Sequence, residues 1–413
     1  MDVPGSKHSE LGSILKYYLY KSTRADEFYR PIMYLFFLSN GFSFTQIAIL
    51  EAVYNITTVV GEIPTGYVGD RVGRRNSLLI GTLLISVTLV GIGLSESFAT
   101  VVLLYVFWST GYNFRSGSED AWLYDTLIDD LGSERFAHVR GRGEAVSLGT
   151  GAVAAVVGGY LGGIDLSYPW FVGAAVTFLG ALVLVTVDEP ETYEAADTES
   201  LSLRRTARIV RDAVSQKNLR AFVVYYYVLY SAVTYLIFVF LQPIFETVVV
   251  DLGVAASQVE SLLGWFYAAY SLLGAVISYY AGAIKEYIGV RAWFLYLPFG
   301  VGAALVGMYF FPVLSLLTFL FVRGLSDVTK SFAGQYVNDR IATLGRATVL
   351  SGMAMVSGLA VVPFQLGSGV ISDYVSPLFA LFVGGVVLIL GSGAILVWET
   401  PVSEETESEA TST

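Results

Sequence analysis

The sequence predicts an all-α membrane protein of twelve transmembrane helices, arranged as two pseudo-symmetric six-helix bundles. Three observations carry this. Of 413 residues, 54% are hydrophobic and only 14% charged, whereas a soluble domain carries about 25% charged residues. Apolar runs recur along the whole chain, each near the roughly 20 residues that take a helix across a bilayer. Barrel strands would instead alternate apolar and polar over about ten residues. Finally, the two halves share short matches in the same order. Gly66, Asp70, Gly73 and Arg75 return as Gly282, Glu286, Gly289 and Arg291. Arg115 and Glu119 return as Arg323 and Asp327, and Arg142, Ser147 and Gly163 as Arg346, Ser351 and Gly367.

Windows of about 19 residues place the first six spans at 27–44, 45–69, 77–96, 98–125, 142–164 and 167–188. The second six fall at 218–243, 256–282, 291–311, 313–338, 345–372 and 376–398. The first is the least clean, because Ser39 and Asn40 interrupt it. The second carries Glu62 and ends in GYVGDRVGRR, and the fourth holds Arg115, Glu119, Asp120 and Asp125. Glycines along GTGAVAAVVGGYLGG give the fifth a small-residue packing face. Tyrosines, Tyr230 and Tyr235 among them, crowd the seventh, and the tenth holds Arg323, Asp327 and Lys330. Residues 9–21 have the composition of an amphipathic surface helix. The expected organisation is a cytoplasmic N-terminal segment (1–26), a six-helix bundle (27–188), a cytoplasmic connector (189–217), a second bundle (218–398) and a disordered acidic tail (399–413).

Positive charge fixes the expected orientation. With these spans, 21 of the 24 Lys and Arg residues fall on one side of the membrane. The other three, Arg115, Arg323 and Lys330, lie inside spans. The positive-inside rule then puts both termini in the cytoplasm of a plasma-membrane protein. Met1 to Ser9 hold no apolar run, so no cleaved signal peptide is expected. A net charge of −11 argues against nucleic-acid partners. With Lys scarce beside Arg, that charge suits a saline, haloarchaeal source. There is no cysteine and there are two histidines, too little for a thiolate site, a histidine metal cluster or a catalytic triad. No phosphate-binding Gly-Lys loop is present. No enzyme activity and no cofactor are therefore expected.

GYVGDRVGRR, Gly66 to Arg75, straddles the end of the second span and the tight turn after it. It resembles the G-x-x-x-D-R-x-G-R-R signature of the major facilitator superfamily. The weaker copy GAIKEYIGVR stands where that family carries its second one. GEIPTG and SGSEDAWLYDTL resemble a prokaryotic branch likened to drug exporters. The resemblance implies alternating access by rocking of the two halves, and a cytoplasmic latch around Asp70. Gly66, Arg71, Gly73, Arg74 and Arg75 frame that latch, with Asp125 nearby. Gly282, Glu286, Gly289 and Arg291 form its second-half counterpart. The family's antiporter motif in the fifth span is incomplete, since Ala154-Ala155 stand where Gly-Pro is needed.

Ionisable residues inside a membrane are costly and by default functional. Arg115 and Glu119, four apart on a helix, share a face and are expected to pair. Glu62 has a similar expected depth, and Asp120 is adjacent. These four are the candidates for ion coupling, with Glu119 or Glu62 as the proton carrier and Na⁺ as the alternative ion. Asn40, Asn113, Tyr230, Tyr235, Gln242, Arg323 and Asp327 are the candidate substrate-cavity residues. The reading is a monomeric secondary transporter, exporting small amphiphilic molecules against protons. The alternatives are uptake or facilitated diffusion of a polar metabolite, and a non-transporting receptor.

Overall fold

The computed structural model describes residues 4–24, 26–131, 133–187, 211, 216, 219–341 and 346–402. The connector and most of the acidic tail therefore lie outside the described residues. The chain forms two compact units. The first comprises Met1–Leu201 and Val249–Ser271, the second Ser202–Val248 and Leu272–Thr413.

The first unit opens with helix α1 (Pro4–Ser22), followed by α2 (Asp26–Tyr29) and α3 (Met33–Ser39). The expected continuous helix over 27–44 is thus two short pieces. Pro31 stands at the break; it has no N–H to give and its ring clashes with the preceding turn. Next come α4 (Phe44–Val72), α5 (Arg74–Gly93), α6 (Phe98–Leu131), α7 (Ser133–Gly162) and α8 (Tyr168–Val185). Ser43 and Gln46 close a capping box that starts α4. α7 begins nine residues before the expected 142. α5 crosses α6 closely, where a Cβ at Gly81 would lie 2.6 Å from the Gly111 carbonyl oxygen. Glycine at both positions lets the backbones touch.

The apolar centre of this unit is aromatic. Tyr29 stacks on the fully buried Trp170, with ring centroids 4.6 Å apart. Trp108, Phe36 and Phe37 close around the same indole. The expected surface helix at 9–21 is instead docked. Tyr17 and Tyr20 of α1 are buried among Leu78, Trp122, Leu123, Val139, Leu184 and Val187.

In the second unit α9 (Arg220–Asp251) holds a π-helical stretch at Val223–Tyr230. It continues through α10 (Val259–Tyr279), whose first half belongs to the first unit. The remaining helices are α11 (Ala281–Ile288), α12 (Val290–Phe310), α13 (Leu314–Asn338), α14 (Arg346–Tyr374) and α15 (Pro377–Trp398). Phe222 packs against Phe294 and Tyr336, and Tyr226 stacks between Phe222 and Tyr230.

Among the described residues, nine helices are long and apolar enough to cross a membrane. The expected first span falls short because it is broken. The fourth and tenth, α6 and α13, are long enough but are the two that carry Arg115, Glu119 and Asp120, and Arg323, Asp327 and Lys330. α6 has 34 residues, about 51 Å at 1.5 Å per residue, against a hydrocarbon core of about 30 Å. One end of α6 therefore projects beyond the apolar slab.

Candidate functional site

The site builds from charges that α1, α6 and α7 bring together inside the first unit. Lys21, at the end of α1, is 0% exposed. Its Nζ donates to Glu119 Oε1 of α6 at 2.6 Å and to Glu144 Oε1 of α7 at 2.7 Å. Arg24 Nη1 lies 3.7 Å from the same Glu119 oxygen. Glu119 keeps 11% of its side chain exposed and Glu144 45%. The Tyr17 phenol stands beside this group. Burial, together with Glu119 and Glu144, pushes it above the ordinary tyrosine range.

A second cluster adjoins through Arg115, 3% exposed on α6. Its guanidinium lies 5.6 Å from the Tyr112 ring centroid and 5.9 Å from that of Tyr20. The Tyr112 hydroxyl donates a short hydrogen bond to Asp26 Oδ2. Arg30 pairs with Asp26 and Glu27, each at 3.7 Å. Opposite charges here neutralise one another, as burial demands.

This geometry revises several sequence expectations. The Arg115–Glu119 pair gives way to Glu119 with Lys21 and Arg24, because α1 docks against α6 and presents its ammonium there. Glu62 is exposed on α4. Asp120 is also exposed, at 54%, in a two-pronged pair with Arg140 at 2.7 and 2.9 Å. Asn113 donates its amide to the Thr58 carbonyl (3.0 Å), tying α6 to α4. Asn40 lies elsewhere, lining a cavity of about 510 Å³ with Ser39, Glu96, Asp165 and Ser167. In the second unit Tyr230 and Gln242 are buried, Tyr235 and Arg323 half-buried and Asp327 exposed. Arg323 sits 5.3 Å from the Phe238 ring centroid.

Lys21, Arg24, Asp26, Glu27, Arg30, Tyr112 and Glu144 were not singled out as site residues by sequence. For the five within 21–30 the signal was the density of opposite charges there, immediately before an apolar run; Tyr112 and Glu144 carried none.

The turn motifs repeat in geometry as well as in letters. Gly73 has φ 95° and ψ 154°, Gly289 φ 77° and ψ 145°. In each copy the glycine N–H closes the preceding helix, on Gly69 at 3.1 Å and on Lys285 at 2.9 Å. In each, the glycine carbonyl opens the next helix, accepting from Ser77 at 2.9 Å and Trp293 at 3.0 Å. Among the described residues a side chain at Gly66 or at Gly282 would meet nothing within 4 Å, so neither glycine is needed for a close helix approach. Arg75 reaches the last turn of α8, donating to Leu184 O at 3.0 Å and Val185 O at 2.8 Å. It thereby satisfies carbonyls that a helix end leaves open. Arg71 lies 4.2 Å over the Tyr67 ring, and Glu286 and Arg291 are exposed. Arg74 is half-buried. The side chains of Asp70, Asp125 and Arg346 lie outside the described residues.

The Major Facilitator Superfamily profile matches residues 25–353. The chain belongs to the major facilitator superfamily. Its apolar helices are those of a multi-pass membrane protein. It is similar to an uncharacterised MFS-type transporter, YxaM, of Bacillus subtilis (strain 168), 22% identical over 151 residues, 37% of each chain. A second relative is the uncharacterised MFS-type transporter MJ1317 of Methanocaldococcus jannaschii, 24% identical over 146 residues, 33% of this chain and 34% of that one. The matches thus span little more than a third of either relative. Among solved structures, the nucleoside transporter NupG aligns with a TM-score of 0.79 at 12% identity, covering 94% of this chain and 99% of that one. The xylose transporter XylE from E. coli aligns at 0.67 with 11% identity, covering 96% and 98%. At these identities the structures share the fold with this chain.

Proposed function

We propose that this superfamily member is a proton-driven exporter of small amphiphilic molecules, working by alternating access as a monomer in the plasma membrane with both termini cytoplasmic. The observation that carries proton coupling is the buried carboxylate Glu119, held on a membrane helix by cations from outside its own helix. Such charge is expensive in a membrane and is retained where it moves ions. Glu119 is the coupling carboxylate in this reading, and Arg115 tunes it from the neighbouring cluster. Na⁺ is the alternative ion in a saline habitat. The turn around Gly73, with Asp70, Arg71 and Arg74, serves as the gate. Tyr235 and Arg323 offer a ring face and a cation to an amphiphilic substrate, which supports that class.

The test begins with a substrate-library thermal-shift screen on purified protein. Hits are then assayed for flux in liposomes with an imposed pH gradient, for wild type and Glu119→Gln. The expected result is gradient-driven export that Glu119→Gln abolishes. Flux indifferent to the gradient and unchanged in the variant would identify a facilitator and overturn the coupling. Binding without flux would point to a receptor.

A further inference from the structure

We propose that Lys21 and a proton are alternative occupants of the Glu119–Glu144 pair, so that the pair takes up its proton as the ammonium withdraws. This deepens the reading above and rests on it only for the link to transport.

One nitrogen touches both carboxylates, at 2.6 and 2.7 Å. The two oxygens can therefore lie no farther apart than those two contacts laid end to end. With the ammonium between them, both carboxylates stay charged. Without it, two like charges that close, one of them nearly buried, share a proton. The exchange balances: the pair with one ammonium and the pair with one proton carry the same net charge. Lys21 keeps its own proton, and the incoming one is taken from water through the half-exposed Glu144.

Among the described residues no other cation touches both carboxylates. Arg24 faces Glu119 at 3.7 Å. Arg115 acts on Glu119 through space and spends its face on tyrosine rings. Asp120 and Arg140 neutralise each other at the edge. Tyr17 and Tyr20, from α1, bring no cation to the pair. Lys21 also belongs to an appended helix rather than to the six of its bundle, so it can leave without unravelling a membrane span.

Two measurements on the full-length protein test this without any transported ligand. The first is infrared spectroscopy of the protonated-carboxyl stretch at neutral pH. Lys21→Gln should gain a band that wild type and Lys21→Arg lack, and Lys21→Gln/Glu144→Gln should lose it again. A Lys21→Gln spectrum identical to wild type overturns the proposal. The second holds α1 in place. A Cβ at Gly180 lies 3.2 Å from Thr23 Cβ, near the roughly 3.5–4.5 Å of a disulfide, and the chain has no cysteine of its own. Oxidised Thr23→Cys/Gly180→Cys should take up the pair's proton at least about one pH unit lower than after reduction, a tenfold loss of proton affinity. Identical titrations would overturn the proposal even if Lys21→Gln failed to fold. If the exchange is seen but no pH gradient drives any flux, the transport reading fails and the exchange stands.

Discussion

Gly289→Ala isolates the backbone term at the repeated turn. At φ 77° and ψ 145° an added Cβ would meet no neighbour within 4 Å. The cost is therefore conformational alone. An L-residue held at the edge of this glycine-only region pays about 1–3 kcal/mol. Gly282→Ala is the matched control: the same atom is added in the open, but inside a helix, where Ala is favoured over Gly by up to about 1 kcal/mol. The two substitutions, seven residues apart, should therefore move stability in opposite directions. For a unit of about 200 residues, 1 kcal/mol corresponds to about 2–4 °C in Tm. Gly289→Ala should melt about 2–12 °C below wild type by tryptophan fluorescence in detergent, and Gly282→Ala at or slightly above it. Gly73→Ala, at φ 95°, should lose at least as much as Gly289→Ala. Equal melting of Gly289→Ala and Gly282→Ala would refute the strain argument.

Arg75→Ala should destabilise by about 2–3 kcal/mol, below the roughly 3–6 kcal/mol of two hydrogen bonds from a charged donor, because the bond to Val185 O is exposed. Arg75→Lys should recover less than half, since an ammonium lacks the fixed planar fork that sets Nε and Nη2 on the two carbonyls; thermal melts decide it. Tyr17→Phe should leave neutral-pH stability unchanged or raised, because it removes a buried hydroxyl that has no hydrogen-bond partner. Since the folded-state phenol titrates above its unfolded value near 10, wild type keeps this contribution below about pH 10 and loses it as pH rises towards the folded value. The variant should lack that part of the alkaline loss in melts across pH 9–12. Asp120→Asn should cost under about 1 kcal/mol in the same assay, as exposed pairs do, and a larger loss would show that the Arg140 pair is shielded from solvent.

The helices were legible because hydrophobic runs of bilayer length are local features. Ten of the twelve expected starts fall within three residues of the observed ones, and the turn copies at Gly73 and Gly289 proved to share conformation as well as letters. Pro31 was overlooked: the unevenness of the first span was put down to Ser39 and Asn40, although a proline inside an apolar window breaks it regardless of hydropathy. The site was less legible. Counting Lys and Arg as markers of one side of the membrane treats every cation as solvated. That treatment hid Lys21, whose carboxylates are 98 and 123 residues away. Arg75 was hidden in the same way, since the helix end it caps lies 109 residues downstream. Local periodicity says which face a residue occupies, and the tertiary fold decides who meets it.

The docking of α1 also sets an order of assembly. Lys21 leaves the ribosome long before either carboxylate that will bury it. At about 5–20 residues per second, the ammonium waits on the order of 5–25 seconds for α6 and α7 to be made. α1 is thus made before α6 and α7 but settles only after both. A slowed or interrupted translation between the two would leave a finished N-terminus with nowhere to dock.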